Sequence, residues 1–180
     1  MKATGMIRKI DDLGRIVIPK EIRKTLKIRE GDTLEIYVER NGEVILKRYA
    51  PFGDLIDQIT LFVEAISKNI GCNVIVTDSK TVIAVAGNLA NKYQGKEISE
   101  ELLDKTEERT IYGIKGEKSI PILDGQEEFI KLKEAISPII IEGNVVGSVI
   151  FLSIDERKMW NEGEIKLLQT ATDYITKKME

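Results

Sequence analysis

The sequence predicts an α+β fold of two domains, a small basic one followed by a larger acidic one. Residues 1–50 contain twelve Lys/Arg against eight Asp/Glu, a net charge of +4, and the other 130 residues carry a net −7. Both parts mix alternating apolar runs with helical stripes, and a short linker joins them. We therefore expect domains at 1–51 and 54–180, with the charge layout of a polyanion-binding head on a separate body.

Composition narrows the function classes before any motif is considered. With 42% apolar and 32% charged residues the chain is globular, and its single cysteine, Cys72, excludes an internal disulfide. The absence of histidine removes the usual metal sites and acid–base mechanisms, so we expect neither an enzyme nor a cofactor. The first residues lead into no apolar run, and the most apolar stretch is interrupted by Pro138 and Gly143. We expect a cytoplasmic protein without a membrane segment.

The most informative stretch is residues 14–32, which predicts a strand, a short helix and a turn. Ile16 and Ile18 alternate with other side chains as in a strand over 15–18, and Pro19 suits a first helical position. Ile22 and Leu26 then share one helix face. Another face is basic and carries Lys20, Arg23, Lys24 and Lys27. Such a face is often just solvated surface, but the basic excess of this segment favours binding to a polyanion.

A β-hairpin is predicted directly after this helix. Two apolar runs, 34–40 and 43–49, flank Asn41-Gly42, a pair typical of two-residue turns in which both residues take positive φ. Such a turn pairs Arg40 with Glu43 and so fixes the register. The resulting partners are Val38 with Ile45, Leu34 with Tyr49, and Glu35 with Arg48.

The first fifty residues are too few to build a core of their own. A further strand at 6–10 and a turn at 11–14 precede the helix, with Arg8 and Arg15 on either side of the turn. The segment has only about a dozen large apolar side chains, which cannot offset the chain entropy of a separate domain. We therefore expect a two-fold dimer of intertwined hairpins.

These residues resemble a known family. The run GRIVIPKEIRKTLKIREGD at 14–32, with DDLG before it and the NG hairpin after it, is similar to the swapped-hairpin DNA-binding domain of the AbrB family of bacterial transition-state regulators. The resemblance covers 1–51 and implies a dimeric β-barrel-like domain in a regulator that activates and represses sporulation genes. It implies DNA contacts by Arg8, Arg15, Arg23 and Lys24. A lysine at the last position is a point charge suited to phosphate rather than to a base.

The larger domain is predicted as helices around an antiparallel sheet. A helix over 54–70 ends at Gly71, and Ser99 caps a second helix that ends near Arg109. Residues 124–134 give no clear pattern. The predicted strands are 72–77 and 81–86 about a tight turn, then 110–114, 135–141 and 145–153, before a closing helix over 164–179.

The closing helix has an apolar stripe with two interpretations. Its residues follow a three-four spacing typical of a coiled-coil seam, but packing on the domain's own sheet would give the same pattern. The stripe consists of Ile165, Leu168, Thr172, Ile175 and Met179. With a similar stripe at 55–66, the seam interpretation predicts a bundle that joins two dimers into a tetramer.

The order of elements over 54–180 resembles a GAF domain, a small-molecule sensing module, most closely in the strand pair ISPIIIEGNVVGSVIFLS. This implies an effector that the sequence does not identify. Asn91-Lys92-Tyr93 lacks the Asp-Glu pair of cyclic-nucleotide-binding members, so we discount that ligand. Cys72 at a strand start is typical of a buried apolar residue rather than a sensor.

Two function classes remain open. The first is a DNA-binding transcriptional regulator whose second domain assembles the protein or senses a ligand. The second is an antitoxin-type interaction protein, which can use the same head to bind its own promoter. Antitoxins of that kind end in a short disordered segment, whereas about 125 patterned residues follow this head, so the sequence favours the regulator.

Overall fold

The computed structural model describes residues 6–26, 28, 30, 34–48, 52–126 and 132–180. The chain divides into two units, Met1–Ala50 and Pro51–Glu180, each with its own sheet. The architecture is the α+β arrangement that the sequence predicts. Within the described ranges no helix has both the length and the apolar character needed to cross a membrane.

The first unit contains a short helix and a hairpin. Helix α1, Lys20–Thr25, starts directly after Pro19, and its first backbone bond runs from the Arg23 N–H to the Pro19 carbonyl at 2.9 Å. Strands β1, Leu34–Val38, and β2, Val44–Arg48, are antiparallel. The predicted Gly31-Asp32 turn, and Lys27 of the basic helix face, lie outside the described residues.

The strands predicted at 6–10 and 15–18 do not form. Two backbone hydrogen bonds close the turn between them, from the Asp11 N–H to the Arg15 carbonyl at 3.1 Å and from the Gly14 N–H to the Asp11 carbonyl at 3.0 Å, and neither segment belongs to a sheet. A strand needs a neighbour with which to exchange ladder hydrogen bonds. Among the described residues of this single chain, neither segment has such a neighbour.

The hairpin forms where predicted, but the predicted register is wrong by one residue. Val38 lies opposite Val44 rather than Ile45, and Leu34 lies opposite Arg48. The observed register also pairs Glu35 with Lys47, Ile36 with Leu46, and Tyr37 with Ile45. Because side chains alternate along a strand, this register groups apolar residues on one face of the hairpin. We call this the hairpin face; it consists of Ile36, Val38, Val44 and Leu46.

The turn explains the shift. Gly42 takes a φ of +84°, but Asn41 does not take a positive φ, so the two-residue turn with positive φ at both positions is excluded. Instead Glu39 and Glu43 close a three-residue loop, with the Glu39 N–H donating to the Glu43 carbonyl at 2.9 Å. The Asn41 side chain accepts the Glu43 N–H at 3.1 Å. A type I turn ending in a left-handed glycine is the usual three-residue alternative.

No side chain in the described part of the first unit is buried. Twelve large apolar residues there are exposed, by between 40% at Tyr37 and 86% at Ile7, whereas Ile18, Ile22, Ile28, Leu34 and Ile45 are half-buried. The other exposed residues are Met6, Ile10, Leu13, Ile16, Val17, Leu26 and the four residues of the hairpin face. The apolar side chains described in this unit therefore do not form a buried hydrophobic core within a single chain.

The second unit is a four-stranded antiparallel sheet with helices on both faces. The strand order is β4-β3-β6-β5. One face packs against α2 and α5, and the other against α3 and α4. The bounds are Asn73–Asp78 for β3, Val82–Ala86 for β4, Lys133–Ile141 for β5, Asn144–Ser153 for β6, Ile56–Ile70 for α2, Ala90–Tyr93 for α3, Glu100–Glu107 for α4 and Glu162–Met179 for α5.

Local signals place most of these elements as predicted. Gly71 ends α2 with a φ of +66°, and the Ser99 hydroxyl caps α4 by accepting the Leu102 N–H at 3.0 Å. The predicted strand at 110–114 is wrong. Only Tyr112 pairs there, with Ile136 of β5, through two 3.0 Å backbone bonds.

The stripe on α5 belongs to the domain's own core, so its interpretation as a coiled-coil seam is wrong. Leu168 and Ile175 are fully buried in the cluster that α2 and the sheet form. Leu61 of α2 and Tyr174 of α5 instead face outward, and Phe62, a half-buried member of the predicted stripe at 55–66, lies beside Tyr174. Leu61 is 69% exposed, Tyr174 is 37% exposed, and the Phe62 ring lies 4.5 Å from the Tyr174 ring, centroid to centroid. We call these three residues the helical patch.

Candidate nucleic-acid interface

The turn before α1 is built around one aspartate. The Asp11 carboxylate accepts the Leu13 N–H at 3.0 Å and the Arg15 N–H at 2.7 Å through Oδ1. Its Oδ2 accepts the Arg15 Nε–H at 2.8 Å. Gly14, with a φ of +75°, closes the turn by donating its N–H to the Asp11 carbonyl. The carboxylate therefore holds both the backbone and the side chain of Arg15.

Arg15 is held and still available to a ligand. Its side chain is 68% exposed, and in the part of the chain that the structure describes its two terminal nitrogens make no hydrogen bond. The hydrogen bonds from the Arg15 backbone and then from its guanidinium hold the pKa of Asp11 below the ordinary value. Both side chains therefore stay charged at neutral pH, and the two terminal nitrogens of the Arg15 guanidinium remain available to a ligand.

Arg23 and Lys24 project from α1. Both are exposed, and within the described ranges neither has a side-chain partner. Glu21, the only acid of this helix, sits in its first turn, where it complements the helix dipole. Positive charge on the last turn is therefore not neutralised within the helix.

The four predicted residues lie at two places in the first unit. Arg8 and Arg15 flank the Asp11 turn, and Arg23 and Lys24 are neighbours on α1. Arg8 is exposed and its only described bond is a local one of 3.3 Å to the Ile7 carbonyl. Among the described residues no bond links the first pair to the second, so each pair is positioned by its own element.

Sequence reasoning treated Asp11 as a turn residue and missed its bonds to Arg15. The residues lie four apart, a spacing that signals an ion pair on a helix but carries no such meaning across a turn. The available signal was the Asp followed by Gly three positions later, since aspartate side chains bond backbone N–H groups within turns. That pattern identifies the carboxylate as an acceptor and leaves its second oxygen for Arg15.

The two units thus define a class: a regulator with a small basic DNA-recognition head and a GAF-type second domain. A model described as "Stage V sporulation protein T C-terminal, transcription factor" matches residues 54–180, and one described as "Antidote-toxin recognition MazE, bacterial antitoxin" matches 7–54. Stage V sporulation protein T of Bacillus subtilis is 41% identical over 180 residues, 100% of this chain and 99% of that protein. The chain belongs to the stage V sporulation protein T family of transcription factors.

Two further comparisons concern the head and the GAF-type fold. Transition state regulatory protein AbrB of Bacillus subtilis is 59% identical over 51 residues, which are 28% of this chain and 52% of that protein. The cofactor-binding GAF domain of the nutrient sensor CodY from Clostridium difficile aligns with a TM-score of 0.54 at 15% identity, over 89% of this chain and 94% of that one. At this identity the second likeness shows the fold alone. Both resemblances proposed from the sequence are confirmed.

Proposed function

We propose that this transcription factor binds operator DNA of sporulation genes through Arg8, Arg15, Arg23 and Lys24. The observation that carries the proposal is that all four cations are exposed on a net-positive unit. Support also comes from the 59% identity to AbrB, whose N-terminal part is a DNA-recognition domain. Exposed cations on a compact basic unit are the footprint expected for contacts to a phosphate backbone.

The binding unit is a dimer of two heads. An isolated two-stranded hairpin is marginal in water, and the hairpin face leaves Val38 75% and Val44 62% exposed. A second copy of the head buries the hairpin face, and it also provides strand neighbours for the segments 6–10 and 15–18. Two heads offer about eight cations to one duplex.

The four cations have different tasks. Arg15 is preorganised by Asp11 and keeps two nitrogens for a planar contact, which suits a guanine edge or a bidentate phosphate. Lys24 is a point charge and contacts phosphate. Arg23 lies beside Lys24 on α1, and among the described residues it has no side-chain partner that it would have to release before it contacts DNA.

The test is a gel-shift titration of the full chain on an operator fragment. Arg23→Ala removes two cations per dimer, so the slope of log K against log[salt] should become less steep by about 1.8 and affinity should fall at least tenfold. The control is Arg109→Ala, which removes an exposed arginine of the second unit and should change neither. Equal affinities for Arg23→Ala and the parent would overturn the assignment.

The second unit joins two dimers into a tetramer through the helical patch. Leu61 and Tyr174 lie on neighbouring helices, and the Phe62 ring fills the space beside Tyr174. Apolar side chains exposed together on a folded domain mark an interaction surface. Two heads on one particle would gain avidity for paired operator sites.

A second candidate function is the antitoxin-type interaction module. It is favoured by the match of residues 7–54 to the MazE model. Against it stands the folded unit behind the head, which matches a transcription-factor model over 54–180. Binding of operator DNA by the full chain without any partner protein separates the regulator from a module that needs its toxin.

The second unit serves assembly and sensing rather than catalysis. The protein works in the cytoplasm, where it meets its DNA.

The single cysteine is not a reactive group. Burial, with a smaller contribution from Glu164, raises the pKa of Cys72 to about 11. The thiol is therefore neutral at physiological pH and is a poor nucleophile. This supports a packing role for the one cysteine in the chain.

A further inference from the structure

Asp11 leaves the Arg15 guanidinium one edge for a pair of hydrogen bonds to a ligand. A guanidinium can bond two acceptors at once along the edge formed by Nε and one terminal nitrogen, or at the end formed by both terminal nitrogens. Asp11 Oδ2 accepts the Nε–H at 2.8 Å and so occupies the first edge. Within the described ranges the terminal nitrogens make no hydrogen bond, and the Arg15 side chain is 68% exposed. While Asp11 holds Nε, Arg15 can therefore make a paired contact only through Nη1 and Nη2.

The position of this free edge is fixed before any DNA is bound. Asp11 Oδ1 accepts the Arg15 N–H at 2.7 Å and the Leu13 N–H at 3.0 Å, so one carboxylate holds the backbone and the side chain of Arg15. The bonds from Arg15 also keep the pKa of Asp11 below its ordinary value, and the carboxylate stays an acceptor at neutral pH. A long side chain normally loses rotamer freedom when it binds, and here part of that loss occurs on folding. Such a preorganised pair of donors suits a contact with defined geometry.

The charge around Arg15 distinguishes it from the cations of α1. Residues 11–15 contain two acids, Asp11 and Asp12, and one arginine, which gives a net charge of −1. Helix α1 contains three cations and one acid, which gives a net charge of +2. A phosphate is attracted by net positive charge, whereas a base edge is uncharged and is recognised by the placement of donors and acceptors. The turn is therefore suited to a base, and α1 is suited to phosphate.

We propose that Asp11 is a positioning residue through which Arg15 recognises a base, with Nη1 and Nη2 donating to N7 and O6 of a guanine in the major groove. The inference rests on the proposed DNA binding by the head and deepens it, because it commits Arg15 to a base rather than a phosphate. Both guanine atoms are acceptors on one edge, which matches two parallel N–H donors. The two acids of the turn also disfavour placement of Arg15 against the backbone phosphates, since like charges repel. The dimer presents two such turns, so it recognises two guanines related by the two-fold axis.

Asp11→Asn tests the hold on the side chain. Asparagine keeps Oδ1 for the Leu13 and Arg15 N–H groups, but its amide NH₂ group takes the place of Oδ2 and cannot accept the Nε–H. The turn is kept and the Arg15 side chain is released. Gel-shift titrations of the full chain compare an operator fragment with scrambled DNA of the same length and composition, at one salt concentration. A bidentate arginine–guanine contact discriminates about five- to 150-fold, so the operator preference should fall at least about fivefold.

Asp12→Asn is the matched control. It removes the same charge one residue away, and the exposed Asp12 side chain makes no hydrogen bond or ion pair to any described residue. Affinity for scrambled DNA should rise equally in Asp11→Asn and Asp12→Asn, because each removes one acid per head. Only Asp11→Asn should lower the operator preference. An equal fall of the preference in both variants would show an effect of charge alone and would overturn the proposal.

Modified DNA tests the base contact itself. The base 7-deazaguanine keeps the pairing and the phosphates but lacks the N7 acceptor, and it replaces the guanines of the operator fragment one at a time. At a guanine that Arg15 recognises, the parent should lose about fivefold or more in affinity. Arg15→Lys keeps the charge but has no planar pair of donors, so it should be insensitive to that replacement. If Asp11→Asn does not fold, these measurements decide the proposal.

The results also separate this inference from the proposed function. The inference is overturned if Asp11→Asn keeps the operator preference of the parent, or if no guanine replacement affects the parent more than it affects Arg15→Lys. Equal weakening of Arg15→Ala on operator and scrambled DNA, with a salt slope less steep by about 1.8, would make Arg15 a phosphate contact and leave the DNA-binding proposal standing. Parent-like affinity of Arg15→Ala for both DNAs would remove Arg15 from the DNA-binding proposal itself.

Discussion

Two adjacent residues of α5 should respond to substitution in opposite ways. Ile175 is fully buried in its own domain, whereas Tyr174 is 37% exposed. Ile175→Ala leaves a cavity in a close-packed core, at a cost of about 2–5 kcal/mol. In a domain of this size each kcal/mol lowers the Tm by about 3–5 °C, so the Tm should fall by roughly 6–25 °C.

Tyr174→Asp should affect assembly rather than folding. It removes a ring contact with Phe62, worth about 1 kcal/mol, from the domain surface. The charge it introduces into the helical patch opposes burial against a second copy. The particle mass should fall from that of a tetramer to that of a dimer.

Calorimetry gives the Tm, and light scattering after size exclusion gives the mass, at one protein concentration because assembly itself shifts the Tm. An Ile175→Ala variant with an unchanged Tm and a halved mass would show that the α5 stripe is an intermolecular seam after all. A tetrameric Tyr174→Asp variant would exclude the helical patch as the interface. A parent chain with the mass of a dimer would refute the tetramer.

Three shorter predictions concern other parts of the chain. Residues 1–51 expressed alone should be a dimer or unfolded, and a compact monomer with a cooperative transition in ultracentrifugation and melting would contradict the paired heads. The folded-state pKa of Asp11 lies below its ordinary value of 3.8, so the carboxylate keeps its hydrogen bonds from Arg15 at and above pH 3.8 and loses them only as the pH falls through the folded-state pKa. An NMR titration of Asp11 with a midpoint at or above 3.8 would refute this. Cys72, with a pKa of about 11, should react with iodoacetamide at pH 8 far more slowly in the native protein than in urea, and equal rates by mass spectrometry would exclude its burial.

The second unit was largely predictable because its signals are local. Gly71, Ser99 and the strand patterns each act within a few residues, and the structure places them as the sequence indicates. The α5 stripe was ambiguous because a helix shows the same apolar spacing whether it packs on its own sheet or on another chain. Only the position of the sheet, which buries Ile175, decides between the two.

The first unit was less predictable because its strand register and its side-chain contacts depend on turn geometry that the local sequence pattern does not specify. Asn41-Gly42 is compatible with a two-residue and a three-residue loop, and the choice moves every pair of the hairpin by one. The four candidate cations were identified from the charge pattern and the resemblance. The hydrogen bonds from Arg15 to Asp11 depend on the geometry of the turn, which residue spacing alone does not specify.

The start of α5 has a mechanical consequence for the domain. Glu164 accepts the Asn161 N–H through Oε2 at 3.0 Å and holds Lys158 through Oε1 at 2.5 Å. One carboxylate thus fastens the loop that carries Trp160 to the first turn of an 18-residue helix. That helix is about 27 Å long, so a tilt of about 5° at its start moves its far end by about 2 Å. A small shift of the loop that carries Trp160 would therefore be amplified along the helix and would displace Tyr174 of the helical patch.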